Sequence, residues 1–302
     1  MVSDILIIGG GVAALTAALY ASRGGLKATI IEKNSIGGQI ADSPKVENFP
    51  TIESISGTEL TDRMYEQVTR LGTNIEFDEI VSLEKKEDIF IAKGLYDEYY
   101  GKSVILATGV THRHLNIPGE ETFLGKGVSY CAVCDGPFYE GKKTMVIGDG
   151  NSALQYAIML AKTSSHVDIV TLTDSFFGDK ALVDALKNLS NVSIVHNIRS
   201  IAFKGEEKLK SVSFENVKTG EQVSIETDGC FVAIGQIPNN KAFESLADLK
   251  DGFIETDENM ATKTKGLFAS GDCRNKKVRQ LTTACNDGAI AALSAISYLS
   301  SL

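Results

Sequence analysis

Apolar and polar positions along this chain fall into blocks that predict strand, glycine turn and helix, twice over. The first block opens with Ile5-Leu6-Ile7-Ile8, an apolar, β-branched run of strand length. Gly9-Gly10-Gly11-Val12-Ala13-Ala14 follows and leads into Leu15-Thr16-Ala17-Ala18-Leu19-Tyr20, a stretch of good helix formers. A second strand, Ala28-Thr29-Ile30-Ile31, ends in Glu32. The second block repeats the plan with strand Thr144-Met145-Val146-Ile147 and loop Gly148-Asp149-Gly150-Asn151-Ser152-Ala153. A helical run from Leu154 to Lys162 and a strand from Val167 to Leu172 complete it.

Both loops read G-x-G-x-x-A between a strand and a helix, the pattern of a βαβ dinucleotide-binding unit. Gly9 permits the tight turn, Gly11 lets backbone approach a pyrophosphate, and Ala14 lets helix pack on strand. The helix N-terminus offers free N–H donors to phosphate. Glu32, 23 positions after Gly9, is spaced to accept a hydrogen bond from a ribose hydroxyl. Two such units predict an α/β chain of two Rossmann-like, doubly wound dinucleotide-binding domains. The order of motifs sets the second inside the first. Near the C-terminus the chain returns to flavoprotein-like elements in Gly266-Leu267-Phe268-Ala269-Ser270-Gly271-Asp272, where Asp272 would cap a helix or hold ribitol hydroxyls.

Composition narrows the setting. At 302 residues the chain accommodates two domains, and 43% hydrophobic with 23% charged residues suits full globular cores. No stretch approaches the roughly 20 consecutive apolar residues of a membrane span. Thirty basic against 39 acidic residues give a net charge of −9, which disfavours nucleic acid and anionic membrane as partners. Met1-Val2-Ser3-Asp4 runs straight into a strand without a signal-peptide core, so the expected location is cytoplasmic.

Five cysteines without a secretory signal do not read as a disulfide framework. Cys230, Cys273 and Cys285 are isolated and read as packing residues. Cys131-Ala132-Val133-Cys134-Asp135-Gly136 is a C-x-x-C pair, either a redox disulfide or half of a zinc site. Zinc needs two further ligands, and His112, His114, His166 and His196 form no second pair, so no metal is expected. A redox role fits: a helix starting there would lower a thiolate pKa, and Asp135 could move the proton that thiol–disulfide exchange requires.

With these residues in view, the chain resembles the low-molecular-weight thioredoxin reductases over nearly its whole length. The matching segments include Gly37-Gly38-Gln39-Ile40, Glu47-Asn48-Phe49-Pro50, Ala107-Thr108-Gly109, Pro118-Gly119-Glu120, Gly235-Gln236-Ile237-Pro238-Asn239 and Arg279-Gln280, beside the first glycine loop, the C-x-x-C and Gly271-Asp272. The resemblance implies FAD in a domain built from residues 1–113 and 244–302, with the redox pair in an inserted domain of residues 114–243. It implies that Gly38, Gln39, Asn48, Ala107, Thr108, Gly109, Gly271, Asp272, Arg279 and Gln280 help to hold FAD, together with Gly9, Gly11, Ala14 and Glu32. Cys134 would face the flavin, Cys131 would attack thioredoxin and Asp135 would be the acid/base. A homodimer and a rotating inserted domain are also implied.

One family feature is missing. Members driven by NADPH carry His-Arg-Arg-x-x-x-Arg after the second strand of the inserted domain. The aligned residues here are Thr171, Leu172, Thr173 and Phe177, without one cation among them. A dianionic 2′-phosphate loses its charge-assisted bonds there. NADH is no better served, because Thr171 stands where a ribose-binding acid belongs and Asp149 lies inside the phosphate loop. The second glycine loop therefore reads as a fold relic. In this respect the chain resembles the ferredoxin-dependent flavin thioredoxin reductases, which implies electron flow from reduced ferredoxin through FAD to Cys131–Cys134 and on to thioredoxin. Arg274, Lys276 and Lys277, or Lys142 and Lys143, are the candidate basic patches for an acidic ferredoxin. The alternatives are an NAD(P)H-dependent thioredoxin reductase with atypical nucleotide contacts and a flavin redox sensor that does not turn over.

Overall fold

The computed structural model describes residues 2–43 and 45–302. The chain forms two compact units, one from the N-terminal residues up to Thr111 with Ile237–Leu302, the other His112–Gln236.

In the first unit the apolar run becomes β1 (Val2–Ile8), followed by α1 (Val12–Arg23) and β2 (Ala28–Glu32). Further along come β3 (Asn74–Phe77), β4 (Ile80–Lys86), β5 (Ile89–Gly94) and β6 (Glu98–Leu106). The sheet order is β3-β2-β1-β6-β5-β4. β1 is buried on both faces, as a central parallel strand must be. Ile5 and Ile7 join the core that packs α1, while Leu6 and Ile8 join the core on the other face. β6 is shared along its length. Glu98–Gly101 pairs antiparallel with β5, whereas Val104–Leu106 pairs in parallel with the late strand Leu267–Ala269. That strand returns the C-terminal part of the chain to the first sheet and delivers Gly271-Asp272 to the ends of β1 and β6.

Small residues set how closely α1 meets the C-terminal helix, Leu281–Leu299. Both contribute alanines to one core, among them Ala14, Ala17, Ala21, Ala291, Ala292 and Ala295. A Cβ built on Gly288 would lie 2.2 Å from the carbonyl oxygen of Ala13. Gly288→Ala is therefore expected to destabilise the fold by about 1–3 kcal/mol, because two helix backbones must separate to admit a methyl group. A lowered urea midpoint at unchanged slope would report it.

The second unit has a parallel sheet of Val192–Val195, His166–Val170, Lys143–Ile147, Gly229–Val232 and Val128–Ser129, in that order. The helix Asn151–Leu160 covers one face, and an antiparallel sheet of Ile198–Gly205, Leu209–Asn216 and Gln222–Glu226 lies in the same unit. The second crossing between units falls at residues 236 and 237, where the family resemblance implies 243 and 244. The cause is Asn240, 1% exposed in the first unit. Its amide donates to the carbonyls of Gly252 (2.9 Å) and Cys273 (3.0 Å), and its oxygen accepts from Thr108 Oγ1 at 2.8 Å. Phe243 is likewise buried in the core of the first unit. Among the described residues no helix is long and apolar enough to cross a membrane.

Candidate functional site

The first glycine loop is built by close approach. Gly9 adopts φ +109°, and a Cβ there would meet the Ala107 oxygen at 2.3 Å. Ala107-Thr108-Gly109 thus lies against the turn, with Gly109 also in the left-handed region at φ +63°. Gly37 donates from its N–H to the Gly10 carbonyl at 2.9 Å, and a Cβ on Gly38 would come within 3.3 Å of the Gly11 Cα. Two glycine turns are packed back to back. Ala14 is fully buried beneath them. Glu32 accepts hydrogen bonds from the backbone N–H of Gly10 (2.6 Å) and Asn34 (2.8 Å), which fixes its carboxylate beside the loop. Gly11 is the N-cap of α1 and supplies no side-chain cap, so first-turn N–H groups remain available to a phosphate.

The other predicted cofactor residues gather in the same unit. The Gln39 side-chain amide donates to the Val110 carbonyl, and Asn48 Nδ2 lies 3.4 Å from Gln280 Oε1. Gln280 is the N-cap of the C-terminal helix and shares a reciprocal capping box with Thr283. Asp272 lies in a short 3₁₀ turn, Gly271–Cys273, and is not the helix cap that the sequence allows as one of its two roles. Burial raises its carboxyl pKa, against the lowering influence of Lys276. Its Oδ1 is ion-paired with Lys276 Nζ at 3.3 Å and, among the described residues, makes no well-aligned hydrogen bond. Arg279 stacks its guanidinium 4.3 Å from the Phe253 ring and donates to the Asp272 carbonyl.

Sequence reasoning gives Asp287 no role. It is a buried carboxylate that organises the whole segment. Asp287 Oδ2 lies 2.9 Å from Arg274 Nη1 and 3.0 Å from Lys276 Nζ, and accepts the Gly271 N–H at 3.2 Å. Arg274 and Lys276 have side chains only 11% and 12% exposed. They are not the docking patch proposed from their sequence positions, because buried carboxylates draw both inward. Lys143 is likewise engaged, 3.0 Å from the buried Asp168, and Lys142 lies over the Tyr139 ring at 5.5 Å.

In the second unit Cys131 and Cys134 form a disulfide with Cα atoms 5.3 Å apart. The helix that follows covers only Ala132–Asp135. It is too short for an appreciable macrodipole, so its contribution is local: the Cys134 N–H points at Cys131 Sγ at 3.2 Å. Asp135 is held by Ser129, whose hydroxyl donates to Oδ2 at 2.6 Å. Burial pushes the Asp135 carboxyl pKa up, and the Ser129 bond partly offsets it. A carboxyl so placed retains its proton above the usual carboxylate range, which suits proton transfer. Tyr130 hydrogen-bonds Glu120 Oε1 and His114 Nδ1, each at 2.7 Å, and stacks on His112. Burial lowers the His112 pKa to about 4 and keeps that ring neutral.

The second glycine loop keeps its turn. Gly148 adopts φ +151°, and a Cβ there would meet the Ala233 oxygen at 2.4 Å. The segment after strand His166–Val170 folds back onto it. Phe177 N–H donates to the Asp149 carbonyl at 2.9 Å, and Thr173 Oγ1 approaches Asp149 Oδ2 at 3.4 Å. Asn151, the first residue of the helix, exchanges two hydrogen bonds with Asp179 at 2.6 and 3.1 Å. Two carboxylates therefore flank the helix entrance. Leu172 and Phe177 are 57% and 75% exposed.

A model of the pyridine nucleotide-disulphide oxidoreductases matches residues 3–288. The chain is 42% identical over 298 residues to the "34.2 kDa protein in rubredoxin operon" of Clostridium pasteurianum, covering 98% of this chain and 97% of that one. It is 41% identical over 300 residues to the thioredoxin reductase of Ureaplasma parvum, covering 99% and 97%. The crystal structure of thioredoxin reductase from Streptococcus pyogenes superposes with a TM-score of 0.96 at 37% identity, covering 100% of this chain and 99% of that one.

Proposed function

We infer, because the chain belongs to the low-molecular-weight thioredoxin reductase family of pyridine nucleotide-disulphide oxidoreductases, that it is an FAD-dependent reductase of thioredoxin. The observation that carries this reading is the Cys131–Cys134 disulfide with a partly buried, hydrogen-bonded carboxyl one residue further on.

Family members bind FAD, and the first unit suits it. Crowded Gly9 and open Gly11 make a cradle for pyrophosphate, and α1 presents uncapped N–H groups. Asp272 Oδ1 is buried beside the Lys276 ammonium at 3.3 Å and makes no well-aligned hydrogen bond among the described residues, which leaves it able to accept from a polyol hydroxyl. We assign the same holding role to Ala14, Glu32, Gly38, Gln39, Asn48, Ala107, Thr108, Gly109, Gly271, Arg279 and Gln280. FAD held by these residues would supply two-electron reducing chemistry and could be loaded one electron at a time.

Two-electron reduction breaks the S–S bond, and one proton from Asp135 leaves Cys134 as the thiol and Cys131 as the thiolate. The Cys131 thiolate attacks the thioredoxin disulfide, forming a mixed disulfide and expelling one thioredoxin sulfur as a thiolate that takes its proton from water. Cys134, giving its proton to Asp135, then attacks Cys131 Sγ, which re-forms the Cys131–Cys134 bond and expels the second thioredoxin sulfur as a thiolate that is protonated from water.

For the donor we propose reduced ferredoxin. A dinucleotide's pyrophosphate at the second loop would meet the carboxylates of Asp149 and Asp179 that flank the helix entrance, and a 2′-phosphate would find Thr171, Leu172, Thr173 and Phe177 in place of cations. A nicotinamide donor is the second reading, favoured by the preserved turn at Gly148. The test is thioredoxin turnover by the purified flavoprotein with photoreduced ferredoxin, compared with NADPH and NADH. We expect turnover with ferredoxin and none above background with either nucleotide; the reverse result gives the donor role to nicotinamide. The reading includes a cytoplasmic homodimer.

A further inference from the structure

Ser129 is not among the residues to which the reaction above gives a role, yet it touches both ends of the redox loop. It ends the strand Val128–Ser129, which pairs in parallel with Gly229–Val232 through Val128↔Cys230 and Ser129↔Phe231. The sheet therefore fixes its backbone, and only 5% of the residue is exposed. Its hydroxyl accepts the Cys131 N–H at 3.0 Å and donates to Asp135 Oδ2 at 2.6 Å. The carbonyl of Cys131 lies 3.5 Å from the same oxygen, but a hydroxyl carries one hydrogen and the carboxylate is nearer. Cys131 N–H, Ser129 Oγ and the Asp135 carboxyl thus form one chain of hydrogen bonds across the disulfide loop.

We propose that Ser129 is a positioning residue that keeps the Asp135 carboxyl in one place through both of its protonation states. The physical reason is the dual character of a hydroxyl. Toward the carboxylate it donates. Toward the protonated carboxyl it can turn its hydrogen away and accept, with its other lone pair still bound to the Cys131 N–H. A methyl group can do neither. Without the hydroxyl the partly buried carboxylate loses the one side-chain donor it has among the described residues, and the charged form becomes harder to reach. The proposal rests on Asp135 acting as the acid/base.

Infrared difference spectroscopy on the oxidised, FAD-bound protein tests it. The protonated-carboxyl C=O band of Asp135 is followed through a pH titration and assigned by its loss in D135N. In S129A the midpoint is expected to move to higher pH and the band to shift in frequency, with kcat for thioredoxin lowered. S129T retains the hydroxyl on a residue suited to a strand end, so it is expected to restore the wild-type midpoint and kcat. If S129A titrates like the wild type while D135N lacks the band, the Ser129 proposal is overturned and the Asp135 role stands. If D135N removes no titrating band, the acid/base role fails and the Ser129 proposal falls with it. Should S129A not fold, S129T and Ser129→Cys carry the comparison, and a midpoint in S129C equal to that in S129T overturns the proposal.

Discussion

Cys134→Ser is expected to abolish thioredoxin reduction, by at least about a thousandfold, while the protein stays yellow and folded. The hydroxyl cannot accept an electron pair by breaking a bond to sulfur, and Cys131 alone cannot resolve a mixed disulfide. The variant should instead trap thioredoxin covalently through Cys131 once thioredoxin activated as a mixed disulfide with a good leaving thiol is supplied. Steady-state turnover and a non-reducing gel read the two effects. Residual turnover within tenfold of wild type would mean that electrons reach thioredoxin by another route.

Asp287→Asn is expected to have the largest effect on stability. The residue is 4% exposed, and its carboxylate is ion-paired with both Arg274 and Lys276, themselves nearly buried. Removing one partner of a buried ionic network leaves uncompensated charge, at a cost of about 3–5 kcal/mol. Asp272 relieves only part of this, because it meets Lys276 and not Arg274. The loss should extend to the cofactor. Gly271 N–H is anchored on Asp287, so the segment carrying Asp272 and Arg279 loosens with it. Thermal unfolding and flavin retention on gel filtration measure the two consequences together. An unchanged melting temperature would show that the network is not needed for the fold.

The limits of the sequence lie where burial decides a residue's work. Both glycine loops are legible because strand, turn and helix are contiguous, and hard backbone contacts at Gly9 and Gly148 admit little else. The cysteine pair is legible for the same reason, being four consecutive residues. Arg274 and Lys276 mislead, since the letters of a basic cluster do not say that a carboxylate on a later helix turns them inward. Ser129 carries no motif of its own; its importance arises from a hydroxyl six residues from Asp135 that only the strand-end geometry brings into reach. The second crossing escapes because the partners of Asn240, at Thr108, Gly252 and Cys273, lie far apart along the chain.

The account requires two redox centres in one chain, a flavin and the dithiol it feeds. An anaerobic dithionite titration of the purified protein, with thiols counted at the end point, tests this directly. The prediction is two electron pairs consumed per bound FAD, with two new thiols that map to Cys131 and Cys134. One pair per flavin, with the cysteines still joined when the flavin is fully bleached, would contradict it.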